Sequence, residues 1–79
     1  MQRSWYVREM ERLVREAGRQ LEADIYDIVI GIAEKALIVY VLQRCRWNQV
    51  RAAQVLGINR NTLRKKMKKY HIGGIHEGP

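Results

Sequence analysis

The stretch RWNQVRAAQVLGINRNTLRKKMKKYHI, residues 46–72, decides the fold. Asn48 and Asn59 each stand just before a run of helix-forming residues, where a short polar side chain caps exposed backbone N–H groups. The spacing therefore predicts two short helices, 48–56 and 60–70. Gly57 lies between them, where a tight interhelical turn needs a residue with positive φ. Ala53 lets the second helix approach closely, and Leu56, Ile58 and Leu63 supply apolar cover under the turn. The spacing Ala53–x3–Gly57–x5–Leu63 is that of a helix-turn-helix.

The second of these helices carries the charge. Residues 57–70 hold six cationic side chains in fourteen positions: Arg60, Arg64, Lys65, Lys66, Lys68 and Lys69. Leu63, Met67 and Tyr70 fall at i, i+4 and i+7 and are expected to face inward, which leaves the cations the outer arc. The whole chain has a net charge of +7. Residues 1–45 balance seven Lys/Arg against seven Asp/Glu, whereas residues 46–79 carry eight Lys/Arg and one acid, Glu77. An excess confined to one end is the footprint of a polyanion-binding surface. A membrane-surface helix needs a broad face of large apolar residues. Here the apolar face is narrow and consumed by the core, so a protein module that binds membranes or proteins is the poorer reading. A DNA major groove accepts a helix whose first residues meet base edges while its flanks neutralise phosphates.

Upstream, two longer helices are expected, about 4–17 and 24–45. Ser4 is placed to cap the first, Gly18 to end it, and residues 18–24 to connect them. Trp5, Met10, Leu13, Val14 and Ala17 give the first an apolar stripe of helical period. The second opens at Asp24, beside the positive end of its helix dipole. It is apolar on nearly every side, with Ile25, Ile28, Val29, Ile32 and Val39 along one face and Ile30, Leu37, Ile38 and Val41 on the other. Such a helix must be covered on several sides. Seventy-nine residues cannot cover it alone, and a chain this short generally gains stability from a disulfide, a metal or a second subunit. Cys45 is the sole cysteine, expected to be a buried small apolar residue, and it makes no zinc pattern with His71 and His76. The two histidines and the ending GGIHEGP read as bystanders in a flexible tail. A homodimer is the economical expectation. Its interface would include Trp5, Leu13, Ile25, Ile28, Val29, Ile32 and Val39, with Tyr6 and Tyr26 in the core or interface.

The chain is thus expected to be an all-α protein of four helices: a two-helix dimerisation hairpin (4–45), a helix-turn-helix (46–72) and a tail (73–79) in one domain. It has no signal peptide or spanning segment, which suits a cytoplasmic protein. It has no paired carboxylates, nucleophile triad, metal set or phosphate-cradling glycine loop, so no enzyme chemistry and no cofactor are expected.

The run NQVRAAQVLGINRNTLRKK resembles the helix-turn-helix of the Fis family, and DIYDIVIGIAEKALIVYVLQRC upstream is similar, without a gap, to the helix that precedes it there. That family includes the bacterial nucleoid protein Fis and the C-terminal DNA-binding domains of NtrC-type sigma-54 activators. The resemblance implies a homodimer that places two recognition helices in successive major grooves and bends double-stranded DNA to meet both. It implies base contacts from Asn59, Arg60 and Lys65, with Arg60 on guanine. Asn48, Arg51, Thr62, Arg64 and Lys66 would hold phosphates. Asn59 also serves as a cap, while Lys68 and Lys69 suit a diffuse field and the C-terminal end of the helix dipole.

Three features depart from the family pattern. Trp47 replaces the usual Gly, which costs about 1 kcal/mol or more if φ there is positive. Val50 replaces a common Thr, removing a hydroxyl that could meet phosphate. No room is seen before residue 4 for the β-hairpin arm with which Fis stimulates DNA invertases, so that activity is expected to be absent. The setting first expected is the C-terminal domain of a sigma-54 activator, joined to an N-terminal ATPase in a longer parent chain. The alternative is a free-standing Fis-like nucleoid protein.

Overall fold

A computed structural model describes residues 3–73. They form α1 (Arg3–Gln20), α2 (Ile25–Arg44), α3 (Gln49–Leu56) and α4 (Arg60–Lys69), with no strand among the described residues. The expected all-α, four-helix order is present. Apart from Gly73, the expected flexible tail lies outside the described residues, as does His76.

The first helix departs from expectation at both ends. It already includes Ser4, and it runs through Gly18 to Gln20. A glycine inside a helix costs only about 1 kcal/mol relative to Ala, too little to stop it here. The ladder continues past it, with the Leu21 N–H donating to the Ala17 carbonyl at 3.0 Å. On the surface, the Glu16 carboxylate accepts from Arg19 and, at 3.0 Å, from Gln20 Nε2. The connector shrinks to residues 21–24. Asp24, at φ 57°, offers its carbonyl to the Ile28 N–H.

The described residues form two units, one up to Ile32 and the other from Ala33 onward, with the division inside α2. In the first unit the apolar residues of α1 are not covered: Trp5, Tyr6, Val7, Met10, Leu13 and Val14 are all exposed. The same holds for Ile25, Tyr26, Ile28, Ile30 and Ile32 on α2, while Val29 is half-buried.

The second unit is built on one core. Ile38, Val41 and Leu42 of α2 meet Ala52 and Ala53 of α3, Leu63 and Met67 of α4, and Ile72 beyond it. Val39 packs against this core, so its expected place in a dimer interface is at least shared with the helix-turn-helix. Cys45 is half-buried beside the same core, not enclosed in it.

The last three helices end alike. The Trp47 N–H donates to Leu42 O (2.7 Å), Ile58 N–H to Ala53 O (3.0 Å) and Ile72 N–H to Met67 O (2.8 Å). The residue before each donor is left-handed: Arg46 at φ 53°, Gly57 at 77° and His71 at 57°. It donates in turn to Gln43, Gln54 and Lys68. This paired six-to-one and five-to-two bonding is the Schellman motif. Both ends of each long bond lie in or against the core, because Trp47, Ile58 and Ile72 are apolar and fold back onto it. Only one of the three left-handed positions is glycine. Burial of the next residue holds Arg46 and His71 in a conformation their side chains disfavour, and Trp47 itself sits at φ 64°.

No atom lies within 4 Å of a Cβ built on Gly57, so Gly57→Ala tests backbone strain alone. It should lower unfolding stability by about 1–2 kcal/mol. Urea midpoints measure this, and unchanged midpoints would show that the turn does not need its left-handed residue.

Candidate nucleic-acid interface

Asn59 starts α4. Its backbone is extended and its Oδ1 accepts from the Asn61 N–H at 2.6 Å, so its side chain is engaged as a cap. Asn48 does the same for α3, accepting from the Arg51 N–H at 3.0 Å. Both expected caps are in place.

With Leu63 and Met67 buried, Tyr70 half-buried and Ile72 closing the end, the orientation of α4 is settled. Arg60, Asn61, Arg64, Lys65 and Lys68 are exposed, and at positions i, i+1, i+4, i+5 and i+8 they share one face. Of the three expected base-reading residues, Asn59 caps α4, Arg60 is its first residue and Lys65 lies at its middle, and all three are exposed. Arg64 and Lys68 continue the face, and Arg51 is exposed near the start of α3. Between the two helices, Gln49, Arg64, Lys65 and Lys68 line a shallow groove over Met67 and Ile72. Gln49 was not singled out by sequence, although its place next to the Asn48 cap was the available signal. Lys69 lies outside that face, its ammonium 5.3 Å from the centre of the Tyr70 ring.

Thr62 and Lys66 are half-buried on another side of α4. Lys66, expected on phosphate, has its ammonium 2.8 Å from Glu34 Oε2, and the Tyr70 hydroxyl donates to Glu34 Oε1 at 2.5 Å. Its charge is thus spent on a carboxylate of α2. Sequence reading missed Glu34 because no local pattern links positions 34 and 66. The Lys66 ammonium foremost, then the Tyr70 hydroxyl, hold the Glu34 carboxyl below the ordinary carboxylate range.

Residues 30–70 match the family described as "Bacterial regulatory protein, Fis family". The chain belongs to the Fis family. A protein named DNA-binding protein Fis from Proteus mirabilis (strain HI4320) is 55% identical over 47 residues, which are 60% of this chain and 48% of that protein. Its namesake from Glaesserella parasuis serovar 5 (strain SH0165) is 45% identical over 60 residues, 76% of this chain and 61% of that one. The Haemophilus influenzae (strain PittEE) protein of the same name is 50% identical over 50 residues, 63% of this chain and 50% of its own length. This Fis-family chain spans about half to three-fifths of the length of these relatives. No helix among its described residues is long and apolar enough to cross a membrane, and no cluster of three or more His, Cys, Asp or Glu stands ready for a metal.

Because the folded-state pKa of Glu34 is depressed, its contribution to stability is present above the ordinary value of 4.5 and is lost as pH falls below it. Glu34→Gln should melt below the parent at neutral pH and converge with it on acidification. Thermal melts at stepped pH decide this; a gap of constant size down to the acid limb would assign the loss to packing instead of charge.

Proposed function

We propose that the chain acts as a homodimeric, sequence-specific DNA-binding regulator of Fis type, free-standing in the manner of the relatives it resembles. The observation that carries this is the exposed cationic face of α4, whose apolar residues Leu63 and Met67 are taken up by the core. Arg60 and Lys65, with Asn59 beside them, stand where a recognition helix enters the major groove. Asn48, Arg51, Thr62 and Arg64 flank them as phosphate contacts, and Lys66 is set aside by its partner Glu34. The relatives named above are all called DNA-binding protein Fis, which favours the free-standing setting over the enhancer-tethering domain of a sigma-54 activator.

The dimer has its own support. Trp5, Leu13, Ile25, Ile28 and Ile32 present exposed apolar surface in the single chain, Ile32 at 68%. So many large apolar side chains left exposed along two helices favour an interface. Two recognition helices from such a dimer meet successive grooves of one DNA face, and the duplex curves where their spacing is shorter than the groove repeat.

Sedimentation at micromolar concentration should give twice the 9.3 kDa chain mass. Ile32→Asp places a charge in the interface and should dissociate or unfold the dimer, at a cost of several kcal/mol. A folded parent monomer would refute the dimer.

For DNA, the best site is to be selected from random duplexes and compared with random duplex. An Arg–guanine contact supplies about 1–3 kcal/mol of discrimination, so Arg60→Ala should weaken the selected site far more than random DNA. Equal weakening of both would reduce Arg60 to one more positive charge.

A further inference from the structure

Residues 33–76 contain ten Lys/Arg and one acid, Glu34. A surface that attracts polyanions is weakened by a carboxylate, so its placement asks for a reason. Glu34 engages both of its oxygens: Oε2 receives the Lys66 ammonium at 2.8 Å and Oε1 the Tyr70 hydroxyl at 2.5 Å. Lys66 and Tyr70 are four residues apart on one side of α4, so the carboxylate makes a two-point tie between α2 and the C-terminal half of that helix. The paired side chains are about 30% exposed, at 27% for Glu34 and 31% for Lys66. Water still reaches the pair and screens it, so a purely stabilising role is a weak explanation. A two-point tie does constrain direction, and direction is what a groove-reading helix requires.

We infer that Glu34 is a positioning residue for the recognition helix: it ties Lys66 and Tyr70 to α2, fixes the pitch of α4, and keeps Lys66 from serving as an indiscriminate phosphate anchor. The inference rests on the DNA-binding reading. Phosphate contacts supply sequence-independent affinity, whereas base contacts need α4 at one orientation. Removing the tie should therefore move the two in opposite directions, raising random binding and lowering discrimination.

The full chain and four variants, Glu34→Gln, Lys66→Ala, the double variant and Tyr70→Phe, are titrated by fluorescence anisotropy. The probes are the selected site and a random duplex, each across a salt series. Lys66→Ala alone should leave the salt slope on random DNA unchanged. Glu34→Gln frees Lys66 and should steepen that slope by about 0.9, one added phosphate contact. It should also tighten random binding severalfold and narrow the specific-to-random ratio. The double variant should return the slope to the parent's. Tyr70→Phe, which alters no charge, should narrow the ratio with the slope unchanged, and it remains informative if Glu34→Gln folds poorly by circular dichroism. A flatter slope in Lys66→Ala alone would show that Lys66 meets phosphate and overturn the inference. An unchanged ratio in both Glu34→Gln and Tyr70→Phe would do so too. Should the parent chain show no salt-dependent duplex binding at all, the DNA reading itself falls, a result distinct from either.

Discussion

The second unit depends on how little side chain α3 brings to its core. Ala52 and Ala53 are almost fully buried and carry nothing beyond Cβ, so the flanking helices can close over α3. Interiors are packed densely enough that one added methylene is felt, and a larger residue at either position would lever α4 outward. Ala53 also serves the turn, since its carbonyl accepts both the Gly57 and the Ile58 N–H. Packing and chain reversal thus meet at one residue. The direction of α4, and with it the cationic face, follows from that point.

How much of this was legible in the sequence depends on range. Asn48, Asn59 and Gly57 act through neighbours within a few positions, and residue type alone announced all three. Gly18 misled because glycine is a weak helix breaker, and Glu16 with its partners carries α1 past it. The left-handed Arg46 and His71 were illegible from their own identities; what fixes them is the apolar residue that follows each and its seat on the core. The positive φ at Trp47 could be posed as a question from its position and answered only by the fold. The Glu34 tie was hidden for a plainer reason: it joins Glu34 of α2 to Lys66 and Tyr70, positions 32 and 36 residues further along the chain. Of the cationic residues assigned to DNA by resemblance, Arg51, Arg60, Arg64 and Lys65 are exposed as such a role needs, and Lys66 alone is engaged elsewhere.

The apolar character of α2 had suggested a helix wanted on all sides, and its residues divide that demand. Ile38, Val41 and Leu42 belong to the core under the helix-turn-helix, while Ile25, Ile28 and Ile32 remain exposed in the single chain. Val39 and Leu37 show how sharp the division is, the one packed on the core and the other 53% exposed. Under the proposed dimer, one continuous helix would serve both as subunit interface and as support for the reading head.

A cationic recognition helix is also a poor helix on its own. Ten residues are too few for a stable isolated helix, and Arg60–Arg64, Arg64–Lys68 and Lys65–Lys69 set like charges four apart. Each such pair costs about 0.2–0.5 kcal/mol. Leu63, Met67 and Ile72 offset that cost by burial, and full burial of an aliphatic side chain contributes about 1.5–3 kcal/mol. The balance explains why the apolar face of α4 is narrow yet fully used. Widening it would displace cations from the outer arc, and narrowing it would leave the repulsion unopposed. The Glu34 carboxylate fits the same balance: it relieves one of the six positive charges of α4, that of Lys66.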